Sequence, residues 1–153
     1  MTQKTVIGLR GKPRSGKTST IRLVYEQLSQ EAKILREPGG RKDVWGAILE
    51  IQEVKIGINS SGDRPEDEEK WVGDLIDEGC VIIVCAAHKR MNGSHSVTEQ
   101  VVIRLSEPNY IVLWIDKEQH AAAPDQKRDD RQKADRILSE VRKAIREAQL
   151  VEA

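Results

Sequence analysis

One short segment near the amino terminus combines the residue types that bind phosphate. Gly11 and Gly16 are separated by four residues, and Lys17 and Thr18 follow directly. Glycines permit backbone conformations in which successive N–H groups point at one anion. The lysine adds a point charge for phosphate oxygens, and the threonine hydroxyl is a ligand for the accompanying Mg²⁺. We call residues 11–18 the glycine loop, and its spacing predicts a site for a Mg²⁺–triphosphate.

The flanking segments have the patterns that such a site requires. An apolar run at residues 5–9 predicts a strand that leads into the glycine loop. Apolar residues at near-helical spacing predict a helix from about residue 17 to residue 30. The positive end of that helix would point at a bound anion. The predicted phosphate-binding residues are Gly11, Lys12, Pro13, Arg14, Ser15, Gly16, Lys17, Thr18 and Ser19.

The glycine loop matches the Walker A pattern at every specified position, and there the chain resembles the P-loop NTPase superfamily. Pro13 and Ser15 resemble the loop of nucleoside monophosphate kinases, and residues 36–40, Arg-Glu-Pro-Gly-Gly, resemble a segment of thymidylate kinases. The resemblance implies ATP and Mg²⁺ as ligands and transfer of the γ-phosphoryl group to a small-molecule nucleotide. It also implies that Arg36 and Glu37 face the acceptor. A Pro-Gly-Gly turn without a binding role is the alternative.

A Mg²⁺ site beside such a loop also needs a carboxylate at the end of a neighbouring strand. The apolar run at residues 81–85 ends without one, so we assign this role to Asp63, which follows the strand predicted at residues 54–58. A turn-capping role is the alternative for Asp63. Asp116, directly after the last predicted strand, resembles a Walker B carboxylate more closely by pattern alone and is the second candidate for the Mg²⁺ role. In P-loop folds, however, the last strand normally lies at the far edge of the sheet from the Mg²⁺.

A basic segment follows the apolar run at residues 81–85, at the end of the sheet where α/β proteins bind ligands. Its residues are His88, Lys89 and Arg90. We assign Arg90 a catalytic role beside Lys17, Asp63 and Glu37, because its charge could stabilise a transferring phosphoryl group; a solvated basic turn is the alternative. The guanine-binding pattern Asn-Lys-x-Asp is missing, which favours ATP. The alternatives to a kinase are an NTPase that signals to a protein partner and a non-catalytic nucleotide-binding module.

The composition predicts a globular, cytoplasmic protein. Lys and Arg total 25, and Asp and Glu also total 25, which argues against nucleic-acid binding by bulk electrostatics. No apolar stretch approaches the roughly 18–20 residues that span a bilayer, so we expect no membrane partner. Cys80 and Cys85 flank an apolar run and are typical of buried free thiols. The sequence leaves the oligomeric state open, and a homo-oligomer is possible.

Strands alternate with helices along the chain, which predicts one α/β domain over residues 1–153. The expected fold is a three-layer α/β/α sandwich with a mostly parallel sheet of about five strands, and the resemblance implies the P-loop NTPase fold. We expect a strand at residues 33–36 to end in a Pro-Gly-Gly turn. Runs at residues 44–51 and 54–58 predict an antiparallel hairpin, with a helix over residues 45–51 as the alternative.

Three further helices are predicted. An acidic run at residues 66–69 suits a helix N-terminus, and Gly79 is positioned to end that helix. A second helix is predicted over residues 97–105. A C-terminal helix is predicted from about residue 130 to residue 150, after a break at residues 121–124.

Overall fold

The computed structural model describes residues 3–41, 44–61, 64–90 and 94–152. Within these ranges the chain forms six strands and four helices. In chain order they are β1 (Lys4–Gly11), α1 (Lys17–Ser29), β2 (Lys33–Arg41), β3 (Val44–Ile51), β4 (Val54–Asn59), α2 (Pro65–Asp77), β5 (Ile82–His88), α3 (Val97–Ser106), β6 (Tyr110–Asp116) and α4 (Ala123–Glu152).

The described strands form one mixed sheet in the order β2-β3-β4-β5-β1-β6. Strands β4, β5, β1 and β6 pair in parallel, whereas β3 pairs antiparallel with both β2 and β4. The α/β class and the antiparallel hairpin of β3 and β4 are therefore confirmed. The alternative to the hairpin, a helix over residues 45–51, is wrong, because that segment is β3.

Helices cover both faces of the sheet. Helices α1 and α4 pack together on one face through apolar residues such as Ile21, Val24, Ile137 and Val141. Helices α2 and α3 pack on the other face, where Val72 and Leu75 of α2 and Val102 of α3 join a second buried cluster. Each helix buries one apolar stripe against the sheet, so the sheet is covered on both faces as the predicted three-layer sandwich requires.

The predicted Pro-Gly-Gly turn is wrong, because β2 continues through it to Arg41. Gly39 lies opposite Gly46 and Gly40 lies opposite Trp45 in the pairing with β3. Pro38 cannot donate a ladder hydrogen bond, but β2 is an edge strand of the described sheet and its register shifts between Arg36 and Gly39. An edge position with an irregular register is where a strand tolerates proline.

The C-terminal helix is longer than predicted. Helix α4 begins at Ala123 and includes Pro124 in its first turn, where the missing proline N–H would have no intrahelical partner in any case. The predicted break at residues 121–124 is therefore the start of the helix. This early start brings the first turns of α4 against the glycine loop.

The two cysteines are buried free thiols, as predicted. Burial raises the pKa of Cys80 to about 12 and the pKa of Cys85 well above its ordinary value. Both thiols are therefore protonated at neutral pH. Among the described residues, no helix combines the length and the apolar character needed to cross a membrane.

Candidate functional site

The glycine loop connects the carboxyl end of β1 to α1. Strand β1 lies between β5 and β6. The chain leaves β1 through α1 on one face of the sheet, whereas α3 carries it from β5 across β1 to β6 on the other face. This divergence makes a crevice at the carboxyl ends of the strands, which is where open α/β sheets bind ligands.

Both glycines of the loop lie where an added side chain would meet a neighbouring residue. A Cβ atom on Gly11 would lie 2.4 Å from Ser15 Oγ, and one on Gly16 would lie 2.3 Å from Asp130 Oδ1. Gly16 also has a φ of 91°, a left-handed conformation that side chains disfavour. Gly16 thus adopts a backbone conformation that favours glycine, as the spacing predicted. At Gly11 and at Gly16 the loop packs closely because neither residue has a side chain.

Lys17 is folded back onto the loop. Its Nζ donates hydrogen bonds to the carbonyl oxygens of Gly11 and Lys12, each at 2.9 Å, and the residue is only 6% exposed. The Lys17 side chain therefore connects the start of α1 to the end of β1. This arrangement holds one positive charge inside the glycine loop.

The start of α1 supplies backbone N–H donors in addition to the Lys17 charge. Gly16 is the N-cap residue, and no side chain in the described part of the chain caps the helix. The first N–H groups of a helix have no intrahelical acceptor, and they carry the positive end of the helix dipole. Thr18 is half-buried in this first turn, whereas Ser19 is exposed. Pro13 and Arg14 lie exposed on the loop.

A basic cavity of about 480 Å³ lies beside the glycine loop. Lys12, Lys89, Arg90 and residues 117–119 line it. The N–H of Lys89 donates to the carbonyl of Gly11 at 3.1 Å, so the segment after β5 runs directly beside the loop. The structure thus brings Arg90 to the same cavity as Lys12, as the sequence predicted for this segment.

Asp116 lies near the loop, contrary to prediction. Strand β6 pairs directly with β1, with Asp116 opposite Arg10. Its carboxylate accepts a 2.8 Å hydrogen bond from Arg10 Nε and lies 3.3 Å from Lys89 Nζ. Burial by itself would raise the pKa of Asp116, but the hydrogen bonds and charges of Arg10 and Lys89 lower it. Two cations therefore neutralise this carboxylate, and β6 neighbours β1 although it is an edge strand.

Glu37 and Arg36 are not brought to the glycine loop. Both lie on β2, which is separated from β1 by three strands; four strand spacings amount to roughly 19 Å. Arg36 forms an ion pair with Asp74 and another with Glu78 at 3.1 Å, while Glu37 is exposed. The predicted position of Glu37 beside the phosphoryl acceptor is therefore wrong for an acceptor at the loop.

Asp63, the predicted Mg²⁺ ligand, lies outside the described residues. Asn59, Ser60 and Ser61 precede it and are buried at the carboxyl end of β4. Across the described ranges, no group of three or more His, Cys, Asp or Glu side chains is arranged to hold a metal ion. Of the two predicted Mg²⁺ ligands, Thr18 and Asp63, Thr18 is the one that lies within the described residues.

Sequence reasoning missed a buried charged cluster behind the loop. Lys117 Nζ donates to the carbonyl of Ser15 at 2.6 Å and lies 2.7 Å from Asp129 and 2.8 Å from Asp130. Gln126 Nε2 donates to the same carbonyl at 2.7 Å. A lysine placed directly after a strand is the signal in the sequence, but it does not reveal its distant partners.

Comparison with known proteins identified no relative of this chain. No protein family model, no curated protein and no solved structure matches the chain. The resemblance to P-loop NTPases therefore rests on the glycine loop, and the resemblance to nucleotide kinases rests on that loop and residues 36–40. The chemistry that the site can perform has to be argued from its geometry.

Proposed function

We propose that this protein binds a nucleoside triphosphate with Mg²⁺ at the glycine loop and transfers the γ-phosphoryl group to a small anionic acceptor. We propose ATP as the donor and the P-loop NTPase fold as the architecture. One observation carries the proposal. The buried ammonium of Lys17 and the uncapped N-terminus of α1 meet in one loop, at the carboxyl end of β1.

The described residues supply most of the binding chemistry for a triphosphate. Lys17 would contact phosphate oxygens from the position it holds against the loop carbonyls. The N–H groups at the start of α1 would donate to other phosphate oxygens. Phosphoryl transfer asks for little beyond such positioning and charge neutralisation.

Mg²⁺ fits the oxygen donors beside the loop. It keeps several waters and takes one or two protein ligands in addition to substrate phosphates. We propose Thr18 as one ligand and Asp63 as the carboxylate. When bound, the ion would supply positive charge that neutralises the charge developing during transfer.

The basic cavity supports an anionic acceptor, such as a nucleoside monophosphate. Lys12 and Arg90 line it beside the loop, so a phosphate of the acceptor could approach the γ-phosphoryl group there. Arg90 then stabilises the transferring group. Glu37 has no role in this transfer, because it lies on the edge strand β2, which three strands separate from β1.

Hydrolysis of the triphosphate is the second candidate. The position of Arg36 favours it, because this residue is engaged with Asp74 and Glu78 of the α2 region and is not near the loop. A nucleotide kinase of the resembled type needs that segment beside the acceptor, whereas an enzyme that transfers to water does not. Such an NTPase would signal its nucleotide state to a protein partner.

One assay separates these functions. The protein is incubated with γ-labelled ATP, Mg²⁺ and a panel of nucleoside monophosphates, with Lys17→Ala as the inactive control. Label on a monophosphate supports the kinase, and free phosphate alone supports the NTPase. Binding without turnover supports a non-catalytic module. If wild-type protein binds neither ATP nor GTP in a fluorescence titration, the proposed function is overturned.

A further inference from the structure

We infer that Lys117 and Gln126 are positioning residues for the glycine loop, which hold the Ser15–Gly16 peptide so that the Gly16 N–H faces the bound phosphate. The identity of the ligand rests on the proposed function. The clamp itself rests on the contacts of Ser15, which neither the Walker A pattern nor the resemblance predicts.

The Ser15 carbonyl accepts two hydrogen bonds from outside the loop. Lys117 Nζ donates at 2.6 Å and Gln126 Nε2 donates at 2.7 Å. A carbonyl oxygen has two lone pairs, so both are occupied. Lys117 reaches it from the segment after β6, and Gln126 reaches it from the end of the first turn of α4.

These two bonds orient the next amide. The peptide unit is planar and trans, so its C=O and N–H groups point in opposite directions. A Ser15 carbonyl directed at Lys117 and Gln126 therefore directs the Gly16 N–H away from α4. That N–H belongs to the N-cap residue of α1, beside the ammonium of Lys17.

Buried charge makes the clamp rigid. The Lys117 side chain is fully buried, and its ammonium is shared by Asp129 and Asp130. Moving the ammonium off the Ser15 carbonyl would leave a polar group without its buried partner, which is costly. Asp130 also accepts from Gln126 at 3.0 Å, so both donors are held by one carboxylate.

The same carboxylate explains one glycine of the loop. Asp130 Oδ1 occupies the space that a Cβ atom on Gly16 would need. Gly16 is therefore required by the clamp as well as by its own backbone conformation. The second glycine of the motif thus depends on residues more than 100 positions away along the chain.

The test compares Gln126→Leu with Lys133→Met. Gln126→Leu removes one donor to Ser15 without leaving a buried ion unpaired. Lys133→Met is the matched control, because Lys133 lies 3.2 Å from Asp129 in the same cluster but is not among the groups that bond to Ser15. Both variants are checked for folding by thermal unfolding, and Mg²⁺–ATP affinity is measured by titration.

We expect Gln126→Leu to weaken ATP binding by roughly 3- to 10-fold, the effect of one lost hydrogen bond, and Lys133→Met to leave the affinity unchanged. The NMR order parameter of the Gly16 amide, without ligand, is the second measurement. We expect it to fall from about 0.85, typical of rigid backbone, in Gln126→Leu but not in Lys133→Met. Lys117→Met should lower it further in whatever fraction of that variant folds.

The outcomes separate this inference from the proposed function. If wild-type protein binds ATP, and Gln126→Leu changes neither the affinity nor the Gly16 order parameter, the clamp is wrong while the proposed function stands. If both variants change them equally, the effect belongs to the charged cluster and the inference is also overturned. If wild-type protein binds no nucleotide, the proposed function fails. The order parameter then still decides whether the clamp orders the loop.

Discussion

Helices α1 and α3 begin at the same edge of the sheet, on opposite faces, but their first turns differ in chemistry. Helix α3 is closed by its own side chains, because Ser96 Oγ accepts from the N–H of Glu99 and the Glu99 carboxylate accepts from the N–H of Ser96. Helix α1 has Gly16 as its N-cap residue and has no acidic residue in its first turn. Its N-cap residue therefore supplies no side chain to accept from the first N–H groups of the helix.

The difference identifies which helix start suits an anion. Glu99 is 2% exposed and lies 3.4 Å from Arg10 and 2.7 Å from His95, so α3 already holds a buried carboxylate at its positive end. A phosphate there would have to displace it. At α1 the loop instead holds the ammonium of Lys17 against the carbonyls of Gly11 and Lys12, and this charge attracts a phosphate.

The largest expected effect is on Lys17→Ala. Loss of charge-assisted hydrogen bonds, each worth about 1.5–3 kcal/mol, should raise the Kd for Mg²⁺–ATP by at least about 100-fold. The circular dichroism spectrum and cooperative melting should persist. Isothermal titration measures the affinity, with Lys33→Ala at the exposed start of β2 as control. An unchanged Kd would remove α1 as the phosphate site.

Gly16→Ala should break the open helix start by steric means. The left-handed backbone costs a non-glycine residue about 1–2 kcal/mol, and the new Cβ would meet Asp130 Oδ1. We expect both lower stability to urea and weaker ATP binding. The matched control is Gly73→Ala in α2, where a Cβ meets nothing within 4 Å, and it should stabilise the protein by about 0.5–1 kcal/mol. Equal effects of the two substitutions would contradict this account.

Ser96→Ala tests the closed helix start. Loss of an N-cap side chain costs about 0.5–2 kcal/mol of stability, and Ser96 also donates a hydrogen bond to the carbonyl of His88. We expect a lower urea midpoint with no change in ATP affinity. A parallel loss of affinity would mean that the two helix starts are coupled across the crevice.

The smallest expected effect concerns Asp116, which joins Arg10 and Lys89 at the crevice. Its pKa in the folded protein lies below the ordinary value of 3.8. The stabilisation from its ion pairs is therefore complete above that value and is lost as the pH falls through the lowered pKa. Urea unfolding of wild type and Asp116→Asn should differ at pH 6 and converge near pH 2. A difference that persists in acid would show that the effect is not due to the charge.

Local signals predicted several elements correctly. The strand before the glycine loop, the hairpin of β3 and β4, and helices α2 and α3 all follow from periodicity, turn length and acidic first turns. Two predictions based on proline were wrong, the turn at residues 38–40 and the break at residues 121–124. Pro38 is inside an edge strand and Pro124 is in the first turn of α4, and in both places the absent N–H costs nothing. Only the neighbours of a proline decide whether its missing donor matters.

In the candidate site, too, some residues were predicted correctly and others were not. The glycine loop is contiguous, so its pattern could be read directly. The positions of Asp116 and Glu37 could not, because chain order does not determine strand order, and the two residues lie respectively beside the loop and across the sheet from it. The Mg²⁺ role of Asp63 stays a prediction.

The glycine-loop pattern and the helix after it could be recognised from neighbouring residues, because glycine spacing and helical periodicity are local features of a sequence. The tertiary structure decided what surrounds the loop. Lys117 and Gln126 reach Ser15 from positions 102 and 111 residues away, and their contacts exist only once β6 has paired with β1 and α4 has packed on α1. Burial of charge and of sheet faces is a property of the whole fold, so the clamp behind the loop could be found only there.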